Sequence, residues 1–167
     1  ALPTELPRHT VGRTSVERTR IITCARPGPG SRLLSIMCGM PEHKLISSGT
    51  VWEQKFGYSR AVRVGNLIAV AGTTAVDEHG ALVGEGSPYE QARFIFQKIA
   101  RALDQAGASL KDVVRVRTFV TDIARWEDVA RAQGEVFASI RPAATLVECS
   151  ALIKPDLLVE IEVDAIV

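Results

Sequence analysis

Three carboxylates, Glu160, Glu162 and Asp164, recur at every second position near the end of the chain. That spacing puts them on one face of a strand. A carboxylate in such a row either polarises a water molecule for attack or stands in a cross-strand charge ladder. Arg115 and Arg117, also two residues apart, suit the facing rungs, and spacing alone favours the ladder. Other chemistries find less support. Cys24, Cys38 and Cys149 lack the C-x-x-C spacing of a zinc site and are odd in number, so a reducing, cytoplasmic setting is the default. Cys149 has no basic sequence neighbour to activate its thiol and reads as a small buried hydrophobe. His9, His43 and His79 are scattered, which leaves no metal-ligating pair on a helical face, and metal catalysis is not expected. The glycines between Gly80 and Gly86 have neither dinucleotide nor P-loop spacing, and no G-x-S-x-G elbow occurs.

The elements that must position these residues belong to one folding unit, because 167 residues allow one domain with a modest extension. With 46% hydrophobic and 23% charged residues, the composition is that of a globular protein, and the longest apolar run, Leu67 to Ala71, is too short to span a membrane. Residues 1–39 hold six Arg, two Glu and four of the eight prolines without a sustained apolar period. They read as a disordered extension, as a transit segment, or as sequence upstream of a true start at Met40. The remaining domain, 40–167, carries a net charge of −3, which does not advertise a nucleic-acid partner.

Within that domain, Ser59–Val64 and Leu67–Thr74 read as a hairpin turned at Gly65-Asn66. Ser87-Pro88-Tyr89-Glu90 announces a helix as a capping box; Tyr89, Ala92, Ile95, Phe96, Ile99, Leu103 and Ala106 form its stripe, and Gly107 stops it. A strand follows over Val113–Thr121, with Val114, Val116, Thr118 and Val120 on one face. A second helix carries Trp126, Val129, Val136, Phe137 and Ile140 on one side. Gln133 lies on that side, implying either a core hydrogen bond or a cleft contact, while Arg141 reads as a helix C-terminal charge. Strands over Ala143–Cys149 and Leu157–Val167 complete a ββαβαββ order, an α+β fold with two helices on one face of a mixed sheet. Leu67–Ala71 is apolar at every position, so both of its faces need cover. Helices cover one; a second copy of the chain is the simplest cover for the other, and an obligate oligomer is expected.

Gly57-Tyr58-Ser59-Arg60-Ala61-Val62, Gly65-Asn66-Leu67, Ala71-Gly72, Phe119-Val120-Thr121-Asp122, Arg141-Pro142-Ala143-Ala144-Thr145 and Val159-Glu160-Ile161-Glu162 together resemble the RidA/YjgF family, also called Rid or L-PSP endoribonuclease-like. The resemblance implies a chorismate-mutase-like fold assembled as a homotrimer, with clefts between subunits, no cofactor, and hydrolysis of reactive enamines and imines such as 2-aminoacrylate. It also implies roles. Glu160 would activate or orient the attacking water, and Tyr58, Gly72, Thr73 and Thr145 would line the cleft. Four polar family positions are altered: the carboxylate-clamping Arg is Ala144, a Cys is Leu146, a Ser is Ala71 and a helix Asn is Ala130. Arg60 stands where the family usually has Gln, either as a replacement anion contact or as a solvated surface residue. Tyr58 either faces the cleft or packs its ring on the core.

These departures resemble a divergent, arginine-lacking subgroup. A buried carboxylate substrate without its Arg would leave an unpaired charge, so the expected ligand is a small reactive imine or enamine other than 2-aminoacrylate, neutral or more apolar. The alternatives are a non-catalytic trimer that binds a small molecule or serves regulation, and an RNA-directed activity for which no basic stripe is visible. No membrane partner is expected.

Overall fold

The computed structural model describes residues 42–167. The expectations for residues 1–39, Cys24, Cys38 and Met40 lie outside the described residues. The elements are β1 (His43–Ile46), α1 (Val51–Phe56), β2 (Ala61–Val64), β3 (Leu67–Thr74), α2 (Pro88–Ala106), β4 (Val113–Val120), α3 (Trp126–Phe137), β5 (Ala143–Glu148) and β6 (Val159–Ile166), with short 3-10 turns before β4 and α3. Six strands form one mixed sheet in the order β1-β2-β3-β6-β4-β5, in which only β4 and β5 run parallel. Among the described residues, no helix is long and apolar enough to cross a membrane.

α2 forms for the reasons its sequence announces. Ser87 is extended at the N-cap and its hydroxyl accepts the Glu90 N–H, Pro88 starts the helix, and Gly107 ends it at φ 79° in the left-handed region. The capping box is only half formed: the Glu90 carboxylate pairs with Arg93 at 3.5 Å instead of returning to the N-cap. Ser87→Ala is expected to lower stability by about 1 kcal/mol, seen as an earlier denaturation midpoint with an unchanged slope.

The buried face of α2, including Ile95, Ile99 and Leu103, packs on the sheet face made by Ile68, Val70, Val116, Ile161 and Val163. α3 joins beside it, with Phe96 and Phe137 edge to face at 5.5 Å. On β6, Val159, Ile161, Val163 and Ala165 are buried and Glu160, Glu162 and Asp164 face the other way, as the alternation requires. Among the described residues, neither α2 nor α3 covers that second sheet face. On β3 it leaves Leu67 and Ala69 exposed in the single chain, while Ile68 and Val70 lie beneath the helices.

Several expectations are corrected. The strand β1 and the helix α1 precede the hairpin, so the element order is longer than ββαβαββ. A bulge between Val113 and Arg115 buries Val113 and turns Val114 out to solvent. Trp126 is half exposed at the start of α3, whose buried residues are Val129, Ala132 and Phe137; Ile140 lies past its end. Leu157 is buried but precedes β6, and Cys149, just beyond β5, is only partly buried.

Candidate functional site

β6 enters the sheet between β3 and β4, and this register decides which acids are paired. Arg117 lies opposite Glu162, and its guanidinium reaches Glu162 at 2.8 Å and Asp164 at 2.9 Å. Arg115 adds a longer contact to Asp164 at 3.6 Å. The charge ladder therefore exists, but it stops one rung short of Glu160. Glu160 faces Phe119 on β4 and Thr74 on β3, and neither supplies a cation. Arg117→Met is expected to cost about 1 kcal/mol or less, and the difference should shrink as salt is added, because the paired groups remain about a third exposed.

The free carboxylate rests on the β3 backbone. Between Val70 and Thr73 the β3–β6 pairing shifts register, and Ala71 and Gly72 occupy the irregularity. A Cβ placed on Gly72 would lie 2.1 Å from Glu160 Oε1, so the missing side chain is what makes room for the acid. Burial pushes the Glu160 pKa above the ordinary carboxylate value and the neighbouring Glu162 adds to that rise, while Arg60 opposes it. Half-buried, without a salt bridge among the described residues and with a raised pKa, Glu160 has the character of a proton acceptor.

Arg60 is not a solvated surface residue. It is partly buried, and its Nη1 donates to the carbonyls of Gly72 at 2.8 Å and Ala71 at 3.3 Å and to Thr73 Oγ1 at 2.9 Å. Thr73 is buried, and its hydroxyl donates to the Ala71 carbonyl at 2.8 Å. Arg60 thus holds the irregular β3 segment on which Glu160 rests. The Tyr58 ring does not pack on the core; it is exposed, 5.8 Å from the Arg60 guanidinium, and lines an open groove with Val62, Ala69, Ala71 and Arg117.

A family model described as endoribonuclease L-PSP matches residues 52–167. The chain belongs to the RidA/YjgF, or endoribonuclease L-PSP, family. It is 38% identical over 120 residues to an uncharacterized protein of Streptomyces coelicolor, covering 72% of this chain and 89% of that one. A protein named 3-aminoacrylate deaminase RutC, from Acinetobacter baylyi, is 33% identical over 73% of this chain and 95% of its own length. Among solved structures, a Mycobacterium tuberculosis member of the YjgF/YER057c/UK114 family is 47% identical, with a TM-score of 0.68 over 75% of this chain and 100% of its own.

The site residues suggested by the Rid resemblance fall into two groups. Tyr58, Arg60, Ala71, Gly72, Thr73 and Glu160 lie together around the β3 irregularity. On β5, Ala144 and Leu146 are paired with Val116 and Thr118, both buried, and so share the helix-bearing face, while Thr145, paired with Arg117, lies on the face of Glu162. Two strand spacings, about 10 Å, separate β5 from β6. Ala144 and Leu146 are therefore on the opposite side of the sheet from Glu160 and cannot line one cavity with it within a single chain. Ala130 and Gln133 are partly buried on α3, and at that exposure Gln133 does not require a protein partner.

Proposed function

We propose that this chain is a cofactor-independent hydrolase of a small imine or enamine, and that its site is completed by a neighbouring copy in a homotrimer. The observation that carries the reading is the Glu160 carboxylate, left out of the ladder and seated on Gly72. In the reaction Glu160 takes a proton from water as the oxygen bonds to the imine carbon and the C=N π electrons move to nitrogen, which receives that proton back from Glu160. The carbinolamine hydroxyl then gives its proton to nitrogen by way of Glu160, the C–N bond breaks, ammonia leaves and the carbonyl forms. An enamine is first protonated at carbon to give the imine.

The second copy would bring Ala144 and Leu146, which face away from Glu160 in their own chain, together with Ala130 and Gln133 of α3. The uncovered sheet face with Leu67 and Ala69 is the surface for it to occupy. With Ala144 where the family has its clamping Arg, the substrate in this reading is neutral or apolar and differs from 2-aminoacrylate, and the chain is assigned to an arginine-lacking subgroup. This is tested by measuring ammonia release from imines generated in solution, neutral and carboxylated in parallel, together with sedimentation. Faster turnover of the neutral imines by a trimer is expected. Sedimentation as a lone subunit, or ligand-induced thermal stabilisation without turnover of any imine, would overturn the hydrolase reading, the latter in favour of a binding module.

A further inference from the structure

On the side of Arg60 away from the proposed chemistry, a cavity of about 170 Å³ opens between the β1–α1 connection, the loop after β3 and the flank of α2. Three cations line it: Arg60, Lys98 and Arg101. None of them has a carboxylate within salt-bridge distance among the described residues, whereas Arg93, Arg115, Arg117, Arg125 and Arg131 all do. Ser48, Thr50 and Gln105 add neutral polar groups to the lining, and Phe94 supplies an apolar wall, 5.9 Å from the Lys98 ammonium.

Two acids also border the cavity, yet neither neutralises the cations. Asp77 Oδ1 is engaged by the N–H groups of His79 and Ala81 at 2.9 and 2.8 Å, and Glu78 is exposed. Lys98 spends its ammonium on the carbonyls of Thr74 and Val76 at 3.0 and 2.6 Å. Arg60 commits its Nη1 to the Gly72 and Ala71 carbonyls and to Thr73, its Nε is buried without a partner, and Arg101 is exposed. Three cations around one cavity, none with a paired carboxylate among the described residues, make a positive field that suits an anion.

We propose that this cavity is a binding site for a small oxyanion, the phosphate or carboxylate group of a metabolite, held by Arg60, Lys98 and Arg101. The local field agrees with it. Burial, then Arg60 and Arg101, hold the Lys98 pKa down to about 8, with Asp77 and Glu78 acting in the opposite sense. A bound anion relieves that repulsion and restores the ammonium. Glu53 and Glu160 both lie within electrostatic range of Arg60, so occupancy is also felt at Glu160. Neutralising Arg60 removes the one influence that lowers the Glu160 pKa.

The site is tested on the full chain, by titrating sulfate, whose charge is constant across neutral pH, and in a separate arm acetate. Backbone amide resonances are followed at constant ionic strength set with chloride. Saturable shifts are expected at Ser48–Thr50, Arg60, Val76–Glu78 and Lys98–Ala102, with a smaller one at Glu160, and with affinity falling as pH rises through about 8, where Lys98 loses its proton. Tighter binding of sulfate supports a phosphate-type group and tighter binding of acetate a carboxylate. Lys98→Met and the more exposed Arg101→Gln should each weaken binding about tenfold or more, and Lys98→Met should abolish the pH dependence. The absence of saturation by either anion up to about 10 mM, or wild-type affinity in Arg101→Gln, overturns the proposal. Neither outcome depends on whether the chain hydrolyses imines.

Discussion

Glu160→Gln is expected to slow ammonia release by about 100- to 10,000-fold while making the fold more stable at neutral pH. The two effects have one origin. The substitution keeps the shape and burial of the side chain and removes only its ability to ionise. In the wild type, desolvation and the nearby Glu162 raise the folded-state pKa above the ordinary carboxylate value, with Arg60 opposing. The native state then binds the proton more tightly than the unfolded state does. The stabilisation this provides is complete below the unfolded pKa and is lost as pH rises through the folded one. Above that window the wild type carries an ionised, partly desolvated carboxylate that Gln does not. Denaturation across pH should show the two proteins converging in acid and separating towards neutrality, with Gln the more stable. The wild-type rate should rise with pH as Glu160 deprotonates, its midpoint above the usual carboxylate value, and the variant should lack that limb. A purely structural Glu160 would give equal rates, and a ladder residue would lose stability on substitution.

What the sequence could disclose about this site is set by which interactions are local. α2 was readable because Ser87, Pro88, the apolar stripe and Gly107 all act within the segment and agree. β6 was readable from alternation alone. α1 was not: its buried Glu53 is held by Ser47 and Ser48 rather than by any apolar period, and the six-residue helix shows no stripe of its own. The bulge at Val114 is not visible in the sequence because either Val113 or Val114 can start the apolar face of Val116, Thr118 and Val120, and only pairing with β6 chooses between them. The same limit applies to the acids. Their common face is visible in the spacing, but that Glu160 meets Phe119 while Glu162 meets Arg117 is a matter of register. Arg60 looked like a surface charge because its partners are backbone carbonyls, created only when β3 departs from regular pairing.

Gly72→Ala should reproduce much of the Glu160→Gln defect in rate without removing any ionisable group. The added methyl would stand 2.1 Å from Glu160 Oε1 and 3.1 Å from its Cδ, while no other heavy atom is as close. The obstacle is the far end of a flexible side chain, and Gly72 does not occupy the left-handed region, so the backbone accepts alanine and the carboxylate gives way. Folding stability should therefore change by about 1 kcal/mol or less, since the displaced group is the mobile end of a side chain that is already partly exposed. A displacement of about 1 Å is enough to cost about 100-fold in rate when the displaced group must meet a bound water. A double-mutant cycle isolates the contact: once the carboxylate is misplaced, converting it to Gln has little left to remove, so the two substitutions should combine far less than additively in rate. Additive losses would mean that Gly72 and Glu160 act separately, with Gly72 serving the strand and not the seat of the acid.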